Sequence, residues 1–139
     1  MFPSDANPSG NVFGGAILRH IDMVAGIVAQ RYSQTNAVTV SMDKISFLKP
    51  VFVGNVLFVN ARVNYVQKSS MEIEVNVEAE DIAKGTRVHT GNAYVTFVAL
   101  DDNGKPTPVP TLRIENSEDQ KRFDEGKLRM ERRLEQRKN

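Results

Sequence analysis

Two hydrophobic patterns divide the chain into a helical part and a strand-forming part. The stretch GGAILRHIDMVAGIVAQRY, residues 14–32, places apolar side chains around nearly the whole circumference of a helix, and a helix that is apolar on every side is a buried one. From there to about Leu100, apolar and polar residues alternate. A period of two is typical of antiparallel strands with one face in water. The pattern predicts one long helix, over about 15–31, followed by strands.

Four strands are predicted, and they differ in the regularity of their alternation. It is strict in LFVNARVNY and MEIEVNVEAE, whereas AVTVSMDKISF loses its phase between Met42 and Ile45. The phase change predicts a bulge near Asp43 and Lys44. The stretch GTRVHTGNAYVTFVAL alternates less cleanly, as a central strand covered on both faces would.

This order of elements predicts an α+β fold. One antiparallel sheet has to curl around the long central helix in order to bury it. The other face of that sheet then needs a partner, which favours a dimer or a larger assembly.

The segment from Glu115 onward has a different character, because it is strongly charged up to Asn139. Ser117, followed three residues later by Gln120, matches a capping box and predicts the start of a helix. We expect this helix to pack on the body of the protein or on a neighbouring subunit, and the alternative is a merely solvated helix. Its few apolar anchors are Phe123, Leu128, Met130 and Leu134.

Composition narrows the class of protein. The 139 residues carry a net charge of +1 without a basic stripe, which argues against nucleic acid as a partner. No run approaches the roughly 20 apolar residues that span a bilayer, and the start of the chain does not read as a signal peptide. Cysteine is absent, so disulfides and thiolate nucleophiles are excluded, and the cytoplasm is the default location.

Catalytic motifs are missing, and their absence directs attention to one carboxylate. The chain has no G-x-S-x-G, Walker-A, G-x-G-x-x-G or H-E-x-x-H motif and only two histidines, His20 and His89. A Ser-His-Asp triad or a histidine-rich metal site is therefore excluded, and an enzymatic group would be a carboxylate. Asp22 lies in the middle of the apolar helix, where a charge needs a partner or a task. A salt bridge to Arg19, one turn earlier, is the alternative interpretation.

The glycine-rich stretch before the helix supplies a second possible element. Free N–H groups of Gly14 and Gly15 at the helix start can hold a carbonyl oxygen or an oxyanion. A tight turn that only allows close packing is the alternative. Asn7 can hydrogen-bond a water or a carbonyl group, or it can simply form an Asx turn.

These residues resemble the signature of the hotdog-fold acyl-CoA thioesterases, a group that includes small bacterial acyl-CoA hydrolases and the two-domain brain enzyme of animals. The resemblance rests first on SDANPSGNVFGGAILRHIDMVAG and continues in SMEIEV, GKPTPVP and DQKRFDEGK. It covers nearly the whole chain. The resemblance implies a hotdog domain over residues 1–114 and a charged helical tail over 115–139. Relatives carry a short first strand ahead of FPSDAN, which this chain lacks.

The resemblance also implies an activity and an assembly. Acyl-CoA would be hydrolysed to fatty acid and CoA, without a metal or an organic cofactor, in a homodimer that assembles further into a trimer of dimers. Asp22 and Asn7 would form the catalytic pair from opposite sides of the dimer interface, with the Gly15 amide holding the thioester carbonyl. Asp22 would act as a general base or as a nucleophile that forms an anhydride.

For the CoA moiety, the resemblance points to basic and hydroxyl-bearing positions whose side chains suit phosphates: Lys68, Ser69, Ser70, Lys49 and Arg87. Each of these alone could equally be a solvated surface residue. Two other functions are alternatives. A hotdog dehydratase would need a histidine, and neither His20 nor His89 is well placed. A non-catalytic acyl-CoA-binding module would need no catalytic group.

Overall fold

A computed structural model describes residues 14–138 as two helices and one antiparallel sheet. The sheet has four strands in the order β1-β4-β3-β2, so that β4 and β3 are central. The elements are α1 Gly14–Ser33, β1 Asn36–Phe47, β2 Val56–Gln67, β3 Ser70–Asp81, β4 Thr86–Leu100 and α2 Ser117–Lys138. The predicted helix, the four strands and the central position of β4 are confirmed.

One side of α1 packs against the inner face of the sheet and forms the core. The helix contributes small and branched side chains, and the strands contribute the apolar half of their alternation. The buried core residues are Ala16, Ile17, Ile21, Ala25 and Ala29 of α1, Met71, Ile73, Val75 and Val77 of β3, and Ala93, Val95, Phe97 and Ala99 of β4.

The opposite side of α1 is open in the single chain. Met23 is 56% exposed and Ile27 is 45% exposed, so the expectation of a helix buried on every side is wrong for one copy. The reason is width. Four strands spaced about 4.8 Å apart make a sheet that is only slightly wider than one helix of about 10 Å diameter, and it cannot surround that helix.

Strand β1 is an irregular edge strand. The bulge predicted near Asp43 and Lys44 is confirmed, because the register with β4 shifts between Asp43 and Ser46 and Lys44 has a φ of 50°. A second shift lies between Thr39 and Ser41. The regular alternation of AVTVS contains no signal for this second irregularity.

Helix α2 packs on the outer face of the sheet, as one of the two sequence interpretations expected. The predicted capping box is wrong by one residue, because Asn116 and not Ser117 is the N-cap: its Oδ1 accepts a hydrogen bond of 2.8 Å from the Asp119 N–H. The Asp119 carboxylate in turn accepts one from the Glu115 N–H at 3.2 Å. Neither α2 nor α1 is long and apolar enough to cross a bilayer.

Only half of the predicted apolar anchors hold α2 in place. The Phe123 ring meets the Tyr65 ring edge-on, with 4.8 Å between centroids, and Met130 is buried. Leu128 and Leu134 are exposed, so their assignment as anchors is wrong. They lie on the side of the helix that faces away from the sheet.

The close seat of α2 on β2 depends on Gly126, and this gives a test of the packing. A Cβ at Gly126 would lie 2.7 Å from the Cβ of Tyr65, so we expect Gly126→Ala to destabilise the fold by about 1–3 kcal/mol through overpacking. This cost opposes the helix preference for Ala, which is worth about 1 kcal/mol. The urea midpoint at a fixed protein concentration measures the outcome.

Gly26→Ala in α1 is the matched control for this substitution. A Cβ at Gly26 would meet only the Phe97 ring at 3.8 Å, an ordinary contact, so the variant should be neutral or gain up to about 1 kcal/mol. Equal urea midpoints for the two variants would contradict the packing described here.

Candidate active site

The Asp22 carboxylate has a hydroxyl partner from the edge strand of the sheet. Asp22 lies on the partly exposed side of α1, and its Oδ1 accepts a hydrogen bond of 2.8 Å from the Thr39 Oγ1. The bond joins the helix to β1 across 17 residues of chain. A half-exposed carboxylate in this position remains accessible to a ligand on the open side of the helix.

The orientation of Thr39 follows from the unpredicted irregularity in β1. Thr39 pairs with Phe97, and Ser41, two residues later, pairs with the next residue, Thr96. Val40 is therefore an extra residue, and Thr39 and Ser41 point to opposite faces although regular alternation would place them on the same one. Sequence reasoning missed Thr39, because a threonine in an alternating strand is an ordinary strand residue.

The two glycines at the start of α1 have different surroundings. A Cβ at Gly14 would lie 3.6 Å from the Phe47 ring, whereas nothing lies within 4 Å of a Cβ built on Gly15. Gly15 thus borders open space, as a carbonyl-binding amide requires. The helical rise puts it about 10 Å from Asp22 along the axis. Asn7, the other predicted catalytic residue, lies outside the described residues.

The turn Lys68–Ser70, which joins β2 to β3, lies at the same end of the sheet as Thr39. Ser70 pairs with Val98, which in turn pairs with Val38. The turn is held by its own backbone, since the Lys68 C=O accepts from the Val109 N–H at 2.8 Å and the Ser69 C=O accepts from the Ala99 N–H at 2.9 Å. Its side chains are therefore presented by a fixed backbone.

The other two basic residues predicted to bind CoA lie at the opposite end of the sheet. The backbone of Lys49 donates to Thr90 O at 3.3 Å. Arg87 forms an ion pair with Glu78, and its guanidinium lies 3.6 Å from the centroid of the Phe58 ring. Along β4 it is 11 residues from the level of the Lys68 turn, on the order of 35 Å at strand rise. One chain does not bring the five predicted residues together.

A second carboxylate, Glu72, is buried and fully engaged. Although Glu72 belongs to the polar half of the β3 alternation, α2 covers it, and it is only 4% exposed. Arg129 holds it with two hydrogen bonds, Nε to Oε2 at 2.9 Å and Nη2 to Oε1 at 2.7 Å. The pair leaves this carboxylate no free edge, so its task is structural.

The same arginine also contacts an aromatic ring. The Arg129 guanidinium lies 3.7 Å from the centroid of the Tyr94 ring. Burial alone would lower the pKa of Arg129, but the hydrogen bonds and the charge of Glu72 raise it overall. Burial raises the pKa of the Tyr94 hydroxyl, against the influence of Arg129. No group of three or more His, Asp or Glu side chains within residues 14–138 is arranged to hold a metal ion.

A sequence comparison decides the family. A model of the Thioesterase superfamily matches residues 9–86, which is more than half of the chain. The chain belongs to the thioesterase superfamily. The α+β hotdog fold expected from the resemblance is confirmed, with an antiparallel sheet packed on one long helix and a second helix at the C-terminal end.

Similar proteins are named for one activity. The chain is 42% identical over 129 residues to the cytosolic acyl coenzyme A thioester hydrolase of Rattus norvegicus, with 91% of this chain and 34% of that protein covered. It thus spans about a third of the length of that relative. It is 40% identical over 119 residues to the uncharacterized acyl-CoA thioester hydrolase YkhA of Bacillus subtilis, with 86% and 69% covered.

Solved structures match nearly the whole chain. The acyl-CoA hydrolase of Staphylococcus aureus, in complex with butyryl-CoA, CoA and CoA disulfide, superposes with a TM-score of 0.90 at 37% identity, covering 99% of this chain and 84% of that one. Alanine variants of the same enzyme, at an asparagine, an aspartate and a threonine, match equally well. An apo-hexameric acyl-CoA thioesterase has a TM-score of 0.92 at 32% identity, covering 98% and 87%.

The different surroundings of the two carboxylates generate a stability test. Glu72→Gln leaves the partly buried Arg129 cation without its counter-charge, and we expect a loss of about 3 kcal/mol, the usual cost of breaking a buried pair. Asp22→Asn keeps a hydrogen-bond acceptor on a half-exposed side chain and should change stability by less than about 1 kcal/mol. Urea unfolding at one protein concentration measures both variants. Equal losses would show that Asp22 is a structural carboxylate as well.

Proposed function

We propose that the chain is an acyl-CoA thioester hydrolase that releases a carboxylic acid and CoA. The observation that carries the proposal is the Asp22 carboxylate, which the Thr39 hydroxyl holds at the open side of an otherwise apolar helix. The names of the relatives support the same reaction. The rat relative is a cytosolic protein by name, which supports a cytoplasmic location.

The spacing of the substituted residues in the Staphylococcus aureus enzyme supports three site residues. Its asparagine, aspartate and threonine variants lie at positions separated by 15 and 17 residues. In this chain, Asn7, Asp22 and Thr39 are separated by the same two intervals. The match favours Asn7 and Asp22 as the catalytic pair and adds Thr39 as their partner.

The proposed reaction uses groups of the chain alone. The Gly15 amide donates to the thioester carbonyl oxygen and stabilises the negative charge that develops there. Asp22 either takes the proton of a water molecule that attacks the carbonyl carbon, or attacks that carbon itself to give an anhydride that water then opens. In both routes the C–S bond breaks and the CoA sulfur leaves as the thiolate, which accepts a proton. No metal or organic cofactor takes part.

A second copy of the chain completes the proposed site. The separation of about 10 Å between Gly15 and Asp22 along the helix is long for two groups that act on one carbonyl, and a partner chain relieves it. Met23 and Ile27, together with Val38 and Val40 of β1, are exposed apolar side chains beside the site. A homodimer that covers them and assembles into a trimer of dimers is supported by a hexameric relative.

The proposed CoA contacts are divided between chains in the same way. Lys68, Ser69 and Ser70 lie at the Thr39 end of the sheet, whereas Lys49 and Arg87 lie at the other end. One CoA molecule that contacts both groups therefore bridges two chains. Of the two groups, the Lys68 turn is the nearer to Asp22 within a single chain.

Substitution of the paired carboxylate and hydroxyl tests the proposed activity. We expect Asp22→Asn to lower kcat by about 10²–10⁴-fold, the usual contribution of a general base. Thr39→Val keeps the shape of the side chain but removes a hydrogen bond to a charged group, so kcat should fall roughly 10- to 100-fold. Thiol release from a panel of acyl-CoA substrates measures both and separates hydrolysis from binding without chemistry.

Two variants of the same residue types are controls. Asp102→Asn lies in the exposed turn after β4, and Thr86→Val lies at the exposed start of that strand, so both should retain full activity. Wild-type kcat for Asp22→Asn would refute the assigned role.

Mixing two inactive variants tests whether the catalytic pair comes from two chains. Asp22→Ala and Asn7→Ala homodimers should each be nearly inactive. In randomly mixed dimers, half of the dimers contain both variants and one of their two symmetric sites is intact, so about a quarter of wild-type activity should return. Mixing after partial denaturation, followed by a thiol-release assay, gives the measurement. If activity does not return although mixed dimers are detected by mass, both residues come from the same chain.

A further inference from the structure

The segment of β1 that follows Thr39 is weakly fixed by the sheet itself. Residues 41–43 lie between two shifts in the register with β4, and β1 is an edge strand that pairs with one neighbour only. The bulge at Val40 turns Thr39 toward α1. A one-residue slip would turn its side chain to the other face of the sheet. Some other contact is needed to keep the bulge at this position.

Helix α2 supplies such a contact from the outer face. The Arg133 Nη1 donates to the Ser41 Oγ at 2.7 Å, and the Ser41 hydroxyl donates to the Asp43 Oδ2 at 3.1 Å. Arg133 thus reaches across 92 residues of chain to the first residue after the bulge. The short chain of hydrogen bonds, from Arg133 through Ser41 to Asp43, spans the whole segment between the two register shifts.

The helix is itself anchored to the rigid centre of the sheet. Arg129, one turn before Arg133 and on the same face of the helix, holds Glu72 of the central strand β3 and lies over Tyr94 of the central strand β4. Tyr94 pairs directly with Asp43. The helix therefore joins a well-packed centre to an irregular edge.

We infer that Arg133 is a positioning residue, which holds the Val40 bulge through Ser41 and thereby keeps the Thr39 hydroxyl on Asp22. The inference rests on the proposed hydrolase function. It gives the charged C-terminal helix a role in catalysis although Arg133 lies on the face of the sheet opposite the proposed site.

Kinetics of variants on both faces of β1 test the inference. Arg133→Met and Ser41→Ala should each lower kcat about tenfold, with KM within about twofold of wild type, because a hydrogen bond from a charged group is lost outside the substrate site. Ser41→Thr keeps the hydroxyl and should restore kcat. The double variant should be no slower than either single variant, since both changes remove the same bond.

Coupling to Thr39 separates positioning from a general structural role. In a Thr39→Val background, Arg133→Met should change kcat by less than about twofold, because the group that Arg133 positions is gone. Arg132→Met, next to it on an exposed position of α2, is the control and should retain kcat. Melting curves establish that each variant is folded at the assay temperature, and Ser41→Ala decides the question if Arg133→Met does not fold.

Three outcomes would overturn the inference. These are an effect of Arg133→Met that persists in full in the Thr39→Val background, an equal effect of Arg132→Met, and a rise in KM with unchanged kcat. An inactive wild-type protein would instead contradict the proposed function. An active wild type whose kcat is insensitive to Ser41→Ala would contradict the positioning role alone.

Discussion

The limited width of the sheet is the constraint on which the rest of the structure depends. Four strands cover one side of α1, where Ala16, Ile21, Ala25 and Ala29 pack against the central strands. The other side of the same helix stays open and carries Asp22 among apolar neighbours. A wider sheet would bury the carboxylate, and burial of an unpaired charge costs several kcal/mol. The incomplete cover therefore allows the helix to serve both as core and as site.

The environment gives two carboxylates of the chain opposite tasks. Glu72 is covered by α2 and bound on both oxygens by Arg129, so it ties the helix to the sheet. Asp22 is half-exposed, and Thr39 is its neighbour across the groove between α1 and β1. A carboxylate that is locked on both oxygens serves stability, and one that keeps a free edge remains available to a substrate.

The proposed hydrolase site is distributed over elements that are distant in sequence. The amide of Gly15 lies at the start of α1, Asp22 in its middle, and Thr39 on the edge strand. Asn7 and the exposed apolar side chains around Met23 direct the remaining part of the site to a second copy of the chain. The C-terminal helix would then support the site from behind, through the bulge that orients Thr39.

Much of the fold could be predicted from the sequence, whereas little of the site's geometry could. The helix, the four strands and the bulge at Asp43 and Lys44 were predicted, because periodicity reports the local geometry of the backbone. The resemblance in the first helix added Asp22 to the predicted site. Even so, the helix cap was misplaced by one residue, since Asn116 and Ser117 are both good caps and only the backbone path selects between them.

The tertiary structure alone decided which residues meet. The alternation of β3 assigns Glu72 to the wet face, and only the docking of α2, 57 residues away, buries it. Thr39 looks like any strand threonine until an extra residue turns it toward Asp22. Lys68 and Arg87, predicted to bind one ligand, fall at opposite ends of the sheet. By itself the sequence determined the elements and the family. The contacts depended on long-range register and packing, which no local pattern encodes.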